Sequence, residues 1–330
     1  MRCTSKKRIT SVIGVILAAS FLLNGCGKET EIDNAYNVYD TTSAYGMDTS
    51  VQEQNVSYFA DNLCVAGNDN LLTEGVTENI SEAAGLFDVA NHEVKFAKNI
   101  HERLYPASTT KILTAYIALK YGDLAATATV TEDELKLEAG STTCGLSVGD
   151  TISLQELLYG LILCSGNDAA NVIADMISGS TEEFANLMNQ EALALGATNS
   201  HFVNANGLQN EEHYTTVYDM YLIFNAAVQD ERFVQLINTQ NHTANFVNSS
   251  GEAVVKDWAT TNKYLKGEEE APEGINVIGG KTGTTNDAGY CLVLYSKKGD
   301  EIPYISIVFK ADSRNNLYHE MTELLQETLK

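Results

Sequence analysis

"INVIGGKTGTTNDAG", residues 275–289, is where the reading of the fold is decided. Gly280-Lys281-Thr282 looks like the end of a phosphate-binding loop, which would close a strand and open a helix. The spacing is wrong for that. The pattern G-x4-G-K-[ST] puts its first glycine at position 275, which is Ile275, and Gly274 lies one residue too early. The downstream residues fit no better. After "TTNDAG" the chain continues as "YCLVLYS", an aromatic and β-branched run that reads as a strand rather than a helix. Lys281 therefore sits in a β region, and nucleotide binding is not expected.

Working outward, "PYISIVFKA" (303–311) is another strand, and a last helix runs from about Asn315 to Leu329. Far upstream, "AAGLFDVANHEVKFAKN" (83–99) reads as two strands around a turn at Asn91-His92. Helices fill the interval. "YPASTTKILTAYIALKYG" (105–122) enters through Pro-Ala-Ser-Thr. Ser153 with Glu156 forms a capping box before "LQELLYGLIL", and Ser180 with Glu183 opens a helix ending near Gly196. "TTVYDMYLIFNAAVQ" (215–229) is a further one. Strands, many helices, strands, helix: the order predicts an α+β fold with an antiparallel sheet formed by both chain ends, flanking helices and an inserted helical subdomain. Residues 56–80 are ambiguous, with "SYFADNLCVA" (57–66) a possible strand.

The N-terminus stands apart. "MRCTSKKRIT" carries Arg2, Lys6, Lys7 and Arg8, and "SVIGVILAASFLL" comes next. This is the layout of an export signal, too short to span a membrane comfortably. It ends in Leu23-Asn24-Gly25-Cys26, which resembles a bacterial lipobox, with Cys26 as the lipidated residue. The expected organisation is a lipoprotein signal peptide at 1–25, an acidic flexible tether at 26–55 and one folded domain at 56–330. The expected location is the outer face of the cytoplasmic membrane of a bacterium, with the membrane contacted through N-terminal lipid. The formal charge of −23 argues against nucleic acid as a partner, because duplex binding needs Lys and Arg to neutralise phosphates. Cys64, Cys144, Cys164 and Cys291 remain after Cys3 and Cys26. None has zinc-site spacing, and Cys164 and Cys291 sit in apolar runs, so free buried thiols are expected.

Three short motifs could carry chemistry. Ser108-Thr109-Thr110-Lys111 opens a helix, where i and i+3 share a face, so a serine and a lysine meet beside free backbone N–H groups. On its own this reads rather as an N-cap serine followed by a solvent-facing lysine. Ser165-Gly166-Asn167, in "CSGNDAA", is either a helix–helix turn with Asn167 and Asp168 as caps, or a proton relay and an amide ligand. Lys281-Thr282-Gly283 is the third.

Together, in this order, Ser-x-x-Lys, Ser-x-Asn and Lys-Thr-Gly resemble the active-site set of penicillin-binding proteins and serine β-lactamases. "ERLYPASTTKILTAYIAL", "LQELLYGLILCSGNDAANVIA", "FVNANGL", "HYTTVYDM", "TTNKYL" and "GGKTGTTNDAGYCLV" narrow the resemblance to the serine-type D-alanyl-D-alanine carboxypeptidases of peptidase family S11, over about residues 83–330. The resemblance implies a serine β-lactamase/transpeptidase-like fold, no cofactor and no metal. It implies a peptidoglycan stem peptide ending in D-Ala-D-Ala as substrate, and β-lactam antibiotics as covalent inhibitors. Ser108 would be the nucleophile, Lys111 the general base and Ser165 the proton relay. The backbone N–H of Thr284, with that of Ser108, would receive the oxyanion. Asn167, Lys281, Thr282 and Gly283 would bind substrate, with the strand bearing Lys281 and Thr282 taking the terminal carboxylate. Gly279 and Gly280 would let substrate or a neighbouring strand approach closely.

Other readings stay open. A class A β-lactamase would deacylate through Glu-x-x-x-Asn and usually carries Ser-Asp-Asn. Here the middle residue is Gly166, and the one formal match, Glu182 to Asn186, falls inside a capped helix, so penicillin is expected to be released slowly. A catalytically silent wall-binding or β-lactam-sensing module is a third possibility. A zinc peptidase would need more than His213 with Asp219. Many relatives add a β-rich domain and a C-terminal amphipathic anchor; this sequence runs only to Lys330, so lipid on Cys26 is expected to take the anchor's place.

Overall fold

The computed structural model describes residues 60–77, 79–299 and 301–330. The basic leader, Cys26 and the acidic segment to residue 55 lie outside the described residues. So does the start of "SYFADNLCVA", whose described part, from Ala60, is turn and irregular chain rather than strand.

Strands β1 (Ala83–Asp88) and β2 (Glu93–Lys98) form the expected hairpin. Three long strands come from the other end of the chain: β7 (Ile275–Thr285), β8 (Gly289–Lys298) and β9 (Ile302–Ala311). The sheet order is β2-β1-β9-β8-β7, antiparallel throughout, with Ala83 opposite Phe309. Both chain ends thus build one sheet, as the element order predicts. The period-two pattern of β8 shows why it is central. Cys291 and Val293 join the core shared with the helical region, while Leu292 and Leu294 point to the opposite face. That opposite face is covered by the last helix, Arg314–Glu327, through Leu317, Met321, Leu324 and Leu325.

The inserted region holds helices α1 (Lys111–Tyr121), α2 (Leu154–Ile162), α3 (Asn167–Ser178), α4 (Thr181–Ala194), α5 (Val217–Ala227), α6 (Glu231–Asn238) and α7 (Lys263–Lys266); the last helix is α8. α1 is apolar on nearly every side and correspondingly buried, so it forms the centre of the domain. The two capping serines do what their spacing implies. Ser153 Oγ accepts from Glu156 N, and Ser180 Oγ accepts from Glu183 N.

The insertion is not purely helical, however. It also contains a four-stranded sheet made of β3 (Thr127–Thr129), β4 (Thr151–Ser153), β5 (Asn241–Val247) and β6 (Ala253–Ala259), in that order. β3 and β4 are three residues each. β5 buries only Ala244 and Phe246 on its inner face, too few apolar positions to announce a strand. Gly279 and Gly280 serve the fold rather than a ligand. A Cβ on Gly279 would lie 2.0 Å from the Ile237 carbonyl of α6, and one on Gly280 would lie 1.9 Å from the Val293 carbonyl of β8. The four cysteines among the described residues are free thiols.

Candidate active site

The chain from Ala107 to Thr110 forms a single 3-10 turn feeding directly into α1. Ser108 lies on this turn and Lys111 opens the helix, so their side chains share a face, with Lys111 Nζ donating to Ser108 Oγ at 3.1 Å. Lys111 is fully buried. It also donates to Asn167 Oδ1 at 2.6 Å and to the Asn206 carbonyl at 2.5 Å. Burial, and then the nearby Lys281 ammonium, hold its amine well below the usual lysine range; the Asp168 carboxylate opposes them. A neutral amine within reach of a serine hydroxyl is a base for that hydroxyl.

A second lysine–serine pair faces the first. Lys281, on β7, is also fully buried and donates to Ser165 Oγ at 2.9 Å and to the Thr282 carbonyl at 3.0 Å. Burial brings its amine down to about 7. Ser165 sits between α2 and α3 with φ of 60°, a conformation that a non-glycine residue adopts only when its surroundings impose it. The surroundings are visible. Asn167 N–H donates to the Thr142 carbonyl, and Asp168 accepts from Cys144 N, Gly145 N and Leu146 N at 2.9, 2.9 and 3.1 Å. Asp168 is therefore not a simple helix cap, one of the two readings its sequence position allows. It pins the 142–146 segment against the start of α3.

β7 closes the arrangement. A Cβ on Gly283 would stand 2.9 Å from the Pro106 carbonyl and 3.1 Å from the backbone nitrogens of Ser108 and Thr109. Only glycine lets the strand lie this close to the nucleophile turn. The resulting cleft, about 150 Å³, is lined by Ser108, Ser165, Thr282, Gly283 and Thr284, and on its far wall by Tyr290 and Arg314. Asn167 lies behind it, buried, on Lys111. Ser108, Lys111, Ser165, Asn167, Lys281, Thr282, Gly283 and Thr284 are thus brought together.

Among the cleft residues to which the sequence reading gave no role, two bear on the chemistry. Thr261 hydrogen-bonds Thr282 hydroxyl to hydroxyl at 2.7 Å. Arg314 lines the cleft from the first residue of α8, its guanidinium 6.0 Å from the Tyr290 ring centre. A signal for it existed: a helix N-terminus is the positive end of the dipole, so an arginine there opposes local electrostatics and needs another reason. Cys291 also lines the cleft, but burial pushes its thiol up to about 12, so it is no nucleophile near neutral pH.

The rival residues are engaged elsewhere. Glu182 and Asn186 are exposed on α4. His213 bonds Thr110 while Asp219 accepts from Asn199 N and Ser200 Oγ, both at 2.7 Å. Among the described residues, no group of three or more His, Cys, Asp or Glu side chains could hold a metal ion.

Comparison with known proteins agrees with this geometry. Residues 72–313 match the D-alanyl-D-alanine carboxypeptidase family model, peptidase S11. The chain is 32% identical to the D-alanyl-D-alanine carboxypeptidase DacF of Bacillus subtilis over 249 residues, 74% of this chain and 61% of that protein. It is 34% identical to DacC of Escherichia coli over 250 residues, 73% of this chain and 59% of that one. It thus spans about three fifths of the length of these curated relatives. Among solved structures, the Streptomyces K15 DD-transpeptidase superposes with a TM-score of 0.70 at 29% identity, covering 76% of this chain and 97% of that one. The fold is the serine β-lactamase/transpeptidase-like one that the sequence resemblance implies. On its sequence match, its fold and its paired lysines and serines, the chain belongs to the D-alanyl-D-alanine carboxypeptidase family, peptidase S11.

Proposed function

We propose that the protein is a serine D-Ala-D-Ala carboxypeptidase that removes the terminal D-alanine from peptidoglycan stem peptides. The observation that carries this is the fully buried Lys111, its amine lowered by burial and held on the Ser108 hydroxyl. Lys111 takes the Ser108 proton as Ser108 Oγ attacks the penultimate carbonyl. The backbone N–H groups of Ser108 and Thr284 receive the oxyanion; one such donor is typically worth about 10²–10³ in rate. Lys111 then gives this proton up to Ser165, which, held by Lys281, passes its own to the departing D-alanine nitrogen; the C–N bond breaks to leave an acyl-enzyme with Lys111 neutral again. Lys281, Thr282 and Arg314 take the terminal carboxylate, and Asn167 orients the peptide amide. Water, deprotonated by Lys111, then releases the shortened peptide. β-Lactams enter the same path and stall at the acyl-enzyme, a reading favoured by the lack of any carboxylate among the described residues lining the cleft.

The test is to incubate the purified full chain with a D-Ala-D-Ala peptide and with a fluorescent penicillin. Release of D-alanine and a long-lived adduct, both lost in Ser108→Ala, are expected. Rapid penicillin turnover would instead make it a β-lactamase. Folded protein that neither releases D-alanine nor forms an adduct would make it a silent binding module.

We further propose export and lipid anchoring on Cys26 at the outer face of the cytoplasmic membrane, supported by the sequence of residues 1–26. Incorporation of a labelled fatty acid that is lost in Cys26→Ala, with release of the variant from membranes, is the expected result. Unlabelled wild-type protein would defeat it.

A further inference from the structure

The segment Phe202–Leu208 reaches from outside the cleft to the back of the catalytic lysine. Its Asn206 carbonyl accepts from Lys111 Nζ at 2.5 Å, and its Ala205 carbonyl accepts from Thr114 Oγ1 at 2.7 Å. It presses on the nucleophile turn as well, since a Cβ on Gly207 would stand 1.9 Å from the Ala107 carbonyl. One buried side chain ties both ends of this contact. His213 Nδ1 accepts from Val203 N at 3.2 Å, and His213 Nε2 lies 2.8 Å from Thr110 Oγ1. Because Val203 N can only donate, Nδ1 is bare and Nε2 carries the hydrogen that Thr110 accepts. His213 is 2% exposed, with its ring edge-on to Phe202 at 5.4 Å. Burial first, then His201 and Lys111, lower its pKa to about 3, so it stays neutral over the working range and this tautomer persists.

We infer that His213 is a positioning residue for the general base: it clamps the 202–208 segment to the nucleophile turn and so fixes the carbonyl that holds the Lys111 amine beside Ser108. The inference rests on the proposed acyl-enzyme chemistry. As the ammonium, Lys111 donates to three acceptors, on Ser108, Asn167 and Asn206; as the neutral base it keeps two hydrogens for Asn167 and Asn206 and turns its lone pair to the Ser108 hydroxyl. Asn206, whose side chain also donates to Asn171 Oδ1 at 3.0 Å, belongs to the segment that His213 ties to the nucleophile turn. When the clamp fails, the carbonyl drifts. The amine then loses an acceptor that favours its charged form and a constraint on its direction.

The charged and titratable groups facing Lys111 are Lys281 on β7, Asp168 on α3 and His213 itself; the first two are untouched by a change at His213. Loss of the Asn206 acceptor therefore has one sign: the Lys111 ammonium becomes less favourable, so the acidic limb of the acylation profile moves to lower pH.

The experiment compares His213→Leu, His213→Gln and Thr110→Val in the full chain, reading fluorescent-penicillin acylation from pH 4 to 9 alongside thermal unfolding. Leucine lacks both hydrogen bonds. Glutamine carries one acceptor and one donor at its tip. Thr110→Val removes only the outer bond and is nearly isosteric. The expected result is acylation slowed by about 10²-fold in His213→Leu, the magnitude of a displacement of about 1 Å. Its acidic limb should move downward, Thr110→Val should move it the same way, and His213→Gln should restore both rate and limb to near wild type. If His213→Leu does not fold, Thr110→Val decides alone. Folded variants whose acidic limb stays at the wild-type pH would overturn the inference, even if their melting temperatures fall. Wild-type protein that fails to acylate would instead strike the proposed function, so the two failures are distinguishable.

Discussion

Replacing Lys281 with methionine should make the protein more stable and inactive. Lys281 is fully buried, and burial lowers its amine from an ordinary 10.5 to about 7. That displacement corresponds to about 5 kcal/mol of penalty on the buried ammonium relative to the unfolded chain. Methionine fills similar space without the charge. It also removes the hydrogens given to Ser165 Oγ and the Thr282 carbonyl, a loss of about 1–2 kcal/mol. The difference leaves the variant about 3 kcal/mol more stable near pH 6, or about 6–12 °C in Tm for a domain of this size. The pH dependence carries the signature. Between about 7 and 10.5 the unfolded chain keeps the lysine proton that the folded protein has released, so wild-type stability rises with pH across that window. The variant lacks this part of the rise. Urea titrations at pH 6, 7, 8 and 9 should therefore show the variant ahead at pH 6, with the gap closing toward pH 9 and beyond. A variant less stable at pH 6, or a gap independent of pH, would refute the claim that Lys281 is held in the fold against a desolvation penalty. D-alanine release should fall sharply at every pH.

Arg314→Leu should raise KM for peptides with a free C-terminal carboxylate by about 10–10²-fold, the range of a hydrogen bond to a charged group, while acylation by an ester lacking that carboxylate changes little; steady-state kinetics on both substrates checks it. Gly283→Ala should lower acylation by about 10²-fold with little loss of Tm, because its Cβ, 2.9 Å from the Pro106 carbonyl, must push β7 off the nucleophile turn; equal rates in stopped-flow acylation would count against the close approach. Asp168→Ala should cost about 3 kcal/mol or more in urea unfolding, since three N–H groups of residues 144–146 lose their shared acceptor.

What the sequence made legible was local or combinatorial. Ser153 and Ser180 announce their helices because a cap and its partner lie three residues apart. The three motifs are individually ordinary, and they became informative only as an ordered set. The hidden features depend on tertiary approach. β3 and β4 exist because β5 passes beside β4, not because three residues prefer extension. The partners of Asp168 come from an irregular segment more than twenty residues earlier, with no periodicity to read. Arg314 reaches the cleft only once α8 has docked on the sheet. The role of His213 is likewise invisible until the 202–208 segment is seen against Lys111. The leader and lipobox reading concerns residues outside those described.

The pairing of β1 with β9 has a consequence for how the molecule comes into being. Ala83 finds Phe309 only after all the residues between them have been made, so the central sheet cannot form on a polypeptide that stops short of β9. Closing so long a loop is slow, because its entropy must be surrendered before the pairing rewards it. A nascent chain already carries Ser108 and Lys111 long before Lys281 is made, and until β7 has joined the sheet those residues lack the strand that completes the cleft. Activity should therefore appear abruptly, once β9 has been made and paired, and no product of synthesis or proteolysis that lacks β7–β9 should acylate.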